Sequence, residues 1–308
     1  MIKQAYDIVG DIHGEFLSLQ ALLLKLGYTK RQGVFSHPQR KVIFLGDFID
    51  RGPAQLAVIE LVRSMVDFGS AFSVMGNHEF NAIAYATKHP HTKQYLRAHS
   101  TVNLNQHTAF LNAFSSLQDE YYETIDWFKT LPLWLDLGDL RVIHACWDAA
   151  LINKLGSPEL TESLLLKASD KTSAEYKAIK TLIKGKQVSL ENGLSYKDED
   201  SNPRKSMRVR WWDPSATTYQ SSFVGSDRMR ACVPNHEMKE DHFVDYGDSE
   251  PPVFIGHYWF HGTPEAMVGN IACVDYSVAK RGGKLVAYRW DGEQVLLNDK
   301  FVWVDKIE

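Results

Sequence analysis

The 308-residue sequence predicts an α/β protein, and three observations carry that prediction. Through the first hundred residues, short apolar β-type runs alternate with helical patterns, which implies βαβ crossovers and a largely parallel sheet there. Strand signals return beyond about residue 250, after a stretch of different texture. Each predicted strand also ends on a small group of Gly with Asp, Asn or His, where α/β sheets gather their ligands.

Residues 5–10 are the first β-type run. Residues 15–26 follow as a helix, because Phe16, Leu19, Leu22, Leu23 and Leu26 recur three or four apart, and Gly27 stands where a helix stops. Residues 41–46 (KVIFLG) read as a second strand, and 54–66 as an amphipathic helix opened by Pro53. Residues 71–75 are a third strand, and a third helix begins at Asn77. Residues 100–131 are helical, and runs 133–137 and 140–143 are strands about the turn Gly138-Asp139. Ser157-Pro158-Glu159 and Thr172-Ser173-Ala174-Glu175 are helix starts, and residues 197–206 a polar loop. Runs 252–256, 270–274, 284–289 and 294–297 complete the strands, with Asp291-Gly292 as a hairpin turn, so an antiparallel sheet is expected in the second half. Because strand signals resume after it, the segment at about 150–250 is expected to be an insertion or cap on a single domain spanning residues 1–308.

Composition excludes several classes. With 44% hydrophobic and 23% charged residues the chain can bury a large core, roughly three quarters of its unfolded surface at this length. Thirty-four basic against 38 acidic residues argue against a generic nucleic-acid binder, which needs cations to displace counterions, but leave local basic clefts open. Cys146, Cys232 and Cys273 are odd in number and far apart, which fits a reducing compartment and neither a disulfide framework nor a zinc ribbon. No apolar run reaches the ~20 residues of a membrane span. Met1-Ile2-Lys3-Gln4 leads directly into a strand, unlike a secretory signal, so a cytoplasmic protein with no membrane partner is expected.

The polar groups at strand ends are Gly10-Asp11-Ile12-His13-Gly14, Gly46-Asp47-Phe48-Ile49-Asp50-Arg51-Gly52, Gly76-Asn77-His78-Glu79, His144-Ala145-Cys146-Trp147 and Gly256-His257-Tyr258-Trp259. Any one of them is an ordinary turn, cap or core histidine. Five in succession, each supplying metal-ligand types at a strand end, predict one crevice in which they meet.

GDIHG, GDFIDRG and GNHE, followed by two later histidines, make the sequence resemble the calcineurin-like metallophosphoesterase superfamily and, within it, the bacterial type of the phosphoprotein-phosphatase branch. The resemblance covers roughly residues 5–148 and 252–290. It implies a β-sandwich of two mixed sheets flanked by helices, with a two-metal site at the carboxyl ends of strands. It makes Asp11, His13 and Asp47 ligands of one metal, and Asp47, Asn77, His144 and His257 ligands of the second. Carboxylate, imidazole and amide donors suit Mn²⁺ first, with Fe, Zn²⁺ or Mg²⁺ as the other candidates. His78 is then the general acid, Asp50 orients it and keeps it cationic, and Arg51 and Asn77 hold the phosphate. The bland alternative for Asp50 and Arg51 is a structural ion pair at a helix start. A further clamp is expected from Arg208 or Arg210, which strand alternation would place on one face, against the alternative of a solvated basic face. Arg228 and Arg230 are lesser candidates, and Tyr276 cannot be assigned. Trp259 replaces the second histidine of the Gly-His-x-His found in many members, leaving the first metal one ligand short, and His261 is expected to be structural. Cys146 is expected to be packed and inert.

The function implied is a dinuclear phosphoesterase that hydrolyses phosphate monoesters by metal-activated water. A phosphoprotein (Ser/Thr or Tyr) or a small phosphoester is the substrate, with phosphoprotein placed first. The alternative is a symmetrical diadenosine-polyphosphate hydrolase or related nucleotidase, in which Tyr196, Trp211, Trp212, Tyr219 or Phe223 would stack an adenine, against the commoner role of such an aromatic cluster as core. A non-catalytic phosphate-binding scaffold is remote, because it would have lost one of Asp11, Asp47, Asn77, His78 or His257, and all are present.

Overall fold

The structure is a computed structural model that describes residues 4–191, 193–197, 202–239 and 243–308. Two mixed sheets pack face to face with helices outside them. In the first, Ala5–Val9 pairs in parallel with Arg40–Phe44, which pairs in parallel with Ala71–Ser73. Lys284–Trp290 runs antiparallel to Ala5–Val9 on its other side and carries both Asp275–Tyr276 and Phe301–Asp305. The second sheet has the order Ile271–Cys273, Val253–Ile255, Arg141–Ile143, Trp134–Asp136.

Strand alternation explains the layers. Ile8 and Ile43, paired across the first sheet, join Val286 and Tyr288 against Val142, Phe254 and Ala272 of the second sheet. Their neighbours Val9, Val42 and Phe44 point the other way, onto the apolar faces of the helices Phe16–Lys25 and Gln55–Asp67. Burial on both faces is why KVIFLG is an unbroken apolar run. Asp7, fully buried, pins the opposite end of the same strands by accepting hydrogen bonds from Tyr28 Oη (3.0 Å), Arg40 Nε (3.0 Å) and Arg289 Nε (3.1 Å).

The structure corrects four expectations. The second sheet is mixed: Val253–Ile255 pairs in parallel with both of its neighbours, and only Trp134–Asp136 with Arg141–Ile143 is antiparallel. Residues 294–297 form no strand. The partner of Lys284–Trp290 is Phe301–Asp305, so Asp291-Gly292 opens a longer loop closed by a 3₁₀ turn, Asn298–Lys300. The helix expected at Ser157 starts at Glu162 with Thr161 as its cap, because Ser157 Oγ spends itself on the Glu159 N–H in a turn (3.2 Å). Within 197–206, residues 198–201 lie outside the described residues, and on either side Tyr196–Lys197 and Pro203–Arg204 pair as a short antiparallel ribbon.

The segment 150–250 contributes Glu162–Ser169 and Ala174–Lys184, the latter capped by Ser173 Oγ accepting from Tyr176 N–H at 2.8 Å. It has a small apolar cluster of its own around Val188, Met207, Val209, Phe223 and Met229, while Leu182, Ile183 and Trp211 join the main core. No helix among the described residues is long and apolar enough to cross a membrane.

Candidate metal centre

The five polar groups meet at the strand ends. Asp47 is the hub: its Oδ2 lies 3.4 Å from His144 Nε2, 3.7 Å from His13 Nε2 and 3.8 Å from His78 Nε2. Asp47, His144 and His257 bring donor atoms within 4.8 Å of one another, as do His13, Asp47 and His78. Asp11 stands beside the second group, its Oδ2 4.0 Å from His13 Nε2, and accepts the His257 N–H at 3.2 Å.

The local backbone is bent to allow this. Nine non-glycine residues among those described have positive φ, and His13, Asp47, Asp50, Arg51, His257 and Trp259 are six of them. Such conformations cost on the order of 1–3 kcal/mol each and persist only where surrounding structure enforces them. The glycines before two ligands have a steric reason. A Cβ on Gly76 would collide with Asp47 Oδ1, and one on Gly256 with Asp11 Oδ1. Glu79, completely buried, fastens the arrangement: Oε2 accepts the N–H of Asp47 (2.8 Å) and of Gly76 (3.0 Å), and Oε1 that of Phe48 (2.9 Å).

The donors fit divalent cations. His13 Nδ1–H donates to Ile49 O at 2.8 Å and His144 Nδ1–H to Leu45 O at 2.7 Å, so each ring turns a lone pair on Nε2 toward Asp47. Those two Nε2 atoms, His257 Nε2 and Asn77 Oδ1 are all buried with no protein hydrogen-bond partner. Four acceptor atoms left bare beside buried carboxylates are costly unless a cation takes them. The charges agree. Burial, then the Asp275 and Asp47 carboxylates, push Asp11 well above its usual range. Burial brings His13 down to about 3 and His257 well below its ordinary value, so both are neutral donors. Burial alone would raise Asp47, but the imidazoles of His144 and His78 outweigh it and hold the carboxylate well below its usual range.

Asp50 accepts from two histidines. His78 Nδ1–H reaches Oδ2 at 2.5 Å, and His107 Nδ1–H reaches Oδ1 at 2.9 Å. Burial opposes ionisation of Asp50, yet the bonds from His107 and His78 bring it down to about 2. Burial also opposes a charge on His78, but Asp47 and Asp50 prevail and raise it above its ordinary value. Arg51 forms no ion pair with a described residue; its guanidinium lies 3.6 Å above the Trp259 ring, with Lys280 4.3 Å from the same ring. Trp259 therefore steadies the arginine.

The later candidates separate. The strand Ser206–Arg208 ends at Arg208, but alternation carries on through buried Val209, which bridges to Phe223, to half-buried Arg210, before a turn (Asp213 N–H to Arg210 O, 3.1 Å). Arg208 lines the cavity above the metal ligands, with Nη1 3.5 Å from His257 O; Arg210 lies outside that lining and feels Arg230 instead. Arg228 and Arg230 are also outside it, whereas exposed His261 is at its margin. Tyr276 Oη is spent on the Glu265 N–H (3.1 Å). Tyr196 and Phe223 line the cavity, while Trp211 is fully buried and donates its indole N–H to Ala145 O (3.2 Å). Cys146 is fully buried, and burial pushes its thiol well up, as a packed cysteine requires. His107, Glu79, the Trp259 stack and buried Asp275, which accepts the Trp259 N–H at 2.7 Å, were not read from the sequence. Of these, Glu79 and Trp259 lay within the polar groups read from the sequence.

Imidazole, carboxylate and amide donors thus meet in one crevice at the ends of the sandwiched sheets. The chain belongs to the calcineurin-like phosphoesterase family, whose model matches residues 6–258. It is 33% identical over 144 residues to a Bacillus subtilis protein named bis(5'-nucleosyl)-tetraphosphatase PrpE [asymmetrical], covering 46% of this chain and 57% of that protein. A protein of the same name from Oceanobacillus iheyensis is 33% identical over 153 residues, with 48% and 58% covered. One from Halalkalibacterium halodurans is 46% identical over 74 residues, with 24% and 30% covered. The chain thus spans between 30% and 58% of the length of these relatives. Among solved structures, a protein serine/threonine phosphatase from Saccharomyces cerevisiae shares the fold with a TM-score of 0.52 at 16% identity, over 100% of this chain and 82% of that one.

Proposed function

We propose that the chain hydrolyses small polyphosphate substrates, bis(5'-nucleosyl) tetraphosphates first, and that phosphoproteins take second place. This reverses the order expected from sequence. The relatives' name supports it, and one observation carries it. A cavity of about 1490 Å³ is lined both by Asp47, Asn77 and His78 and by Tyr196, Arg208 and Phe223 of the 150–250 segment. Among described residues its lining holds seven lysines and arginines against two carboxylates, Asp47 and Asp50, in a chain of net charge −4. A basic, capped cavity favours a compact ligand with charge on several phosphates. One phosphoryl group on a protein loop needs less charge and more open access.

In this reading Asp11, His13 and Asp47 hold one divalent ion, and Asp47, Asn77, His144 and His257 the other, with Mn²⁺ first. When bound, such a pair supplies an activated water and neutralises phosphoryl oxygens. Arg51, steadied on Trp259, and Arg208 orient the phosphate together with Asn77, all three lining the same cavity. His78 gives its Nε2 proton to the leaving oxygen as the P–O bond breaks, and Asp50 holds the imidazole charged. The segment 150–250 acts as the cap.

The test supplies chelator-stripped protein with Mn²⁺, Mg²⁺ or Zn²⁺ and offers diadenosine tetraphosphate, a phosphopeptide and an aryl phosphate. Metal-dependent release of a mono- and a triphosphate nucleoside is the expected outcome. Turnover of the phosphopeptide with the dinucleotide intact overturns the reading.

His107 is a positioning residue in this scheme. His107→Phe keeps the ring packed against Phe110 and Tyr85 but removes the bond to Asp50. It is expected to lower kcat about tenfold, the worth of one charge-assisted hydrogen bond, ~1.5 kcal/mol. KM and metal content should stay put while Tm falls modestly; a purely structural His107 would lower Tm and spare kcat in the folded fraction.

A further inference from the structure

Lys184, the last residue of Ala174–Lys184, turns its ammonium into the cavity and donates to Asn81 Oδ1 at 3.3 Å. No carboxylate lies within ion-pair range of it among the described residues. Arg97, on the same lining, donates to the neutral Gln106 Oε1 at 2.8 Å and also forms no ion pair with a described residue. Two cations near each other, partly withdrawn from water and satisfied only by amide oxygens, are unfavourable unless an anion comes to them. The strain registers on the lysine. Burial, then the Arg97 charge, bring its pKa down to about 8.

Their position gives the anion a role. Asn81 is four residues beyond Asn77 on the helix Asn77–Ala86, hence on the same face and ~6 Å along the axis. The lysine head therefore lies about one helical turn along from the candidate metal ligand Asn77, at the edge of the centre, where it still acts on Asp47 and His257. We infer that Lys184 and Arg97 form a second anion subsite, which takes the phosphates next to the reacting one in a polyphosphate chain. The natural ligand rests on the function proposed above, but the subsite can be tested without it.

The test is calorimetric titration of full-length, Mn²⁺-loaded protein with tripolyphosphate and with inorganic phosphate, free Mn²⁺ being held equal throughout. Wild type is expected to bind tripolyphosphate at least about tenfold more tightly than phosphate. Lys184→Met, close to isosteric and free of the buried charge, should cut that preference at least fivefold, and Arg97→Gln should do the same from a different element. Should Lys184→Met misfold, Arg97→Gln decides alone. Equal weakening of both ligands, or an unchanged preference, overturns the subsite. Diadenosine tetraphosphate hydrolysis, measured in parallel, separates the two ideas. Wild type that shows the preference but leaves the dinucleotide intact keeps the subsite and removes the function, and cleavage without the preference does the reverse.

Discussion

In Asp47→Asn, bound divalent metal and turnover are expected to fall together, turnover by about a thousandfold or more, comparable to removing a central electrostatic element from an active site. Asp47 Oδ2 faces three imidazole Nε2 atoms at 3.4–3.8 Å, while Oδ1 accepts the His78 N–H at 2.9 Å. An asparagine keeps the second bond only by aiming its NH₂ at the cluster, which places a donor where a cation needs an acceptor. The backbone should not object, because Asp47 has φ +51° and asparagine tolerates that left-handed conformation better than most residues. Loss of function would therefore reflect the site and not misfolding. Metal content per chain and Tm with and without chelator check this. A ligand that binds only the native state at a hundred times its Kd contributes about 2.7 kcal/mol, so chelator should lower the wild-type Tm and barely move that of the variant. Full metal content in Asp47→Asn would remove Asp47 from the hub.

Much of this centre was legible because its chemistry sits in contiguous motifs whose glycines have steric causes. Gly76 and Gly256 leave space for the Asp47 and Asp11 carboxylates, so the ligands and the small residues beside them travel together in sequence. The main layers were legible for a similar reason: alternation and apolar runs are local. What escaped was pairing across distance. His107 meets Asp50 from 57 residues away, on a helix whose pattern announces only packing. Val253–Ile255 joins Arg141–Ile143 in parallel across more than a hundred residues, whereas the adjacent run Trp134–Asp136 suggested antiparallel order. Arg208 and Arg210 looked equivalent because alternation fixes a face and not what that face meets, and of the two only Arg208 reaches the cavity. The order of substrates changes in the proposed function for a different reason. Metal ligands recognise phosphate whatever it is attached to, and the charge of the surrounding cavity depends on Arg97, Lys184 and Arg208, which lie in no motif.

His78→Asn is expected to lower turnover of poor leaving groups by about 10²–10⁴-fold, the usual worth of general acid catalysis, with both metals retained. The structure also allows a rival role. His78 Nε2 groups with His13 and Asp47 in a metal-capable cluster, and a carboxylate on Nδ1 orients metal-bound histidines as readily as acids. Charge alone does not separate the roles, because Asp47 raises His78 and the candidate ligand His144 alike. Leaving-group dependence separates them in solution. An aryl phosphate with an acidic phenol needs little protonation, so His78→Asn should cost it far less than it costs an alkyl phosphate, and Asp50→Asn should show the same asymmetry. A ligand role predicts instead lost metal and equal damage to both substrates. That result would transfer His78 to the first metal and leave Asp11, whose Oδ1 and Oδ2 already accept the His257 N–H, as its support.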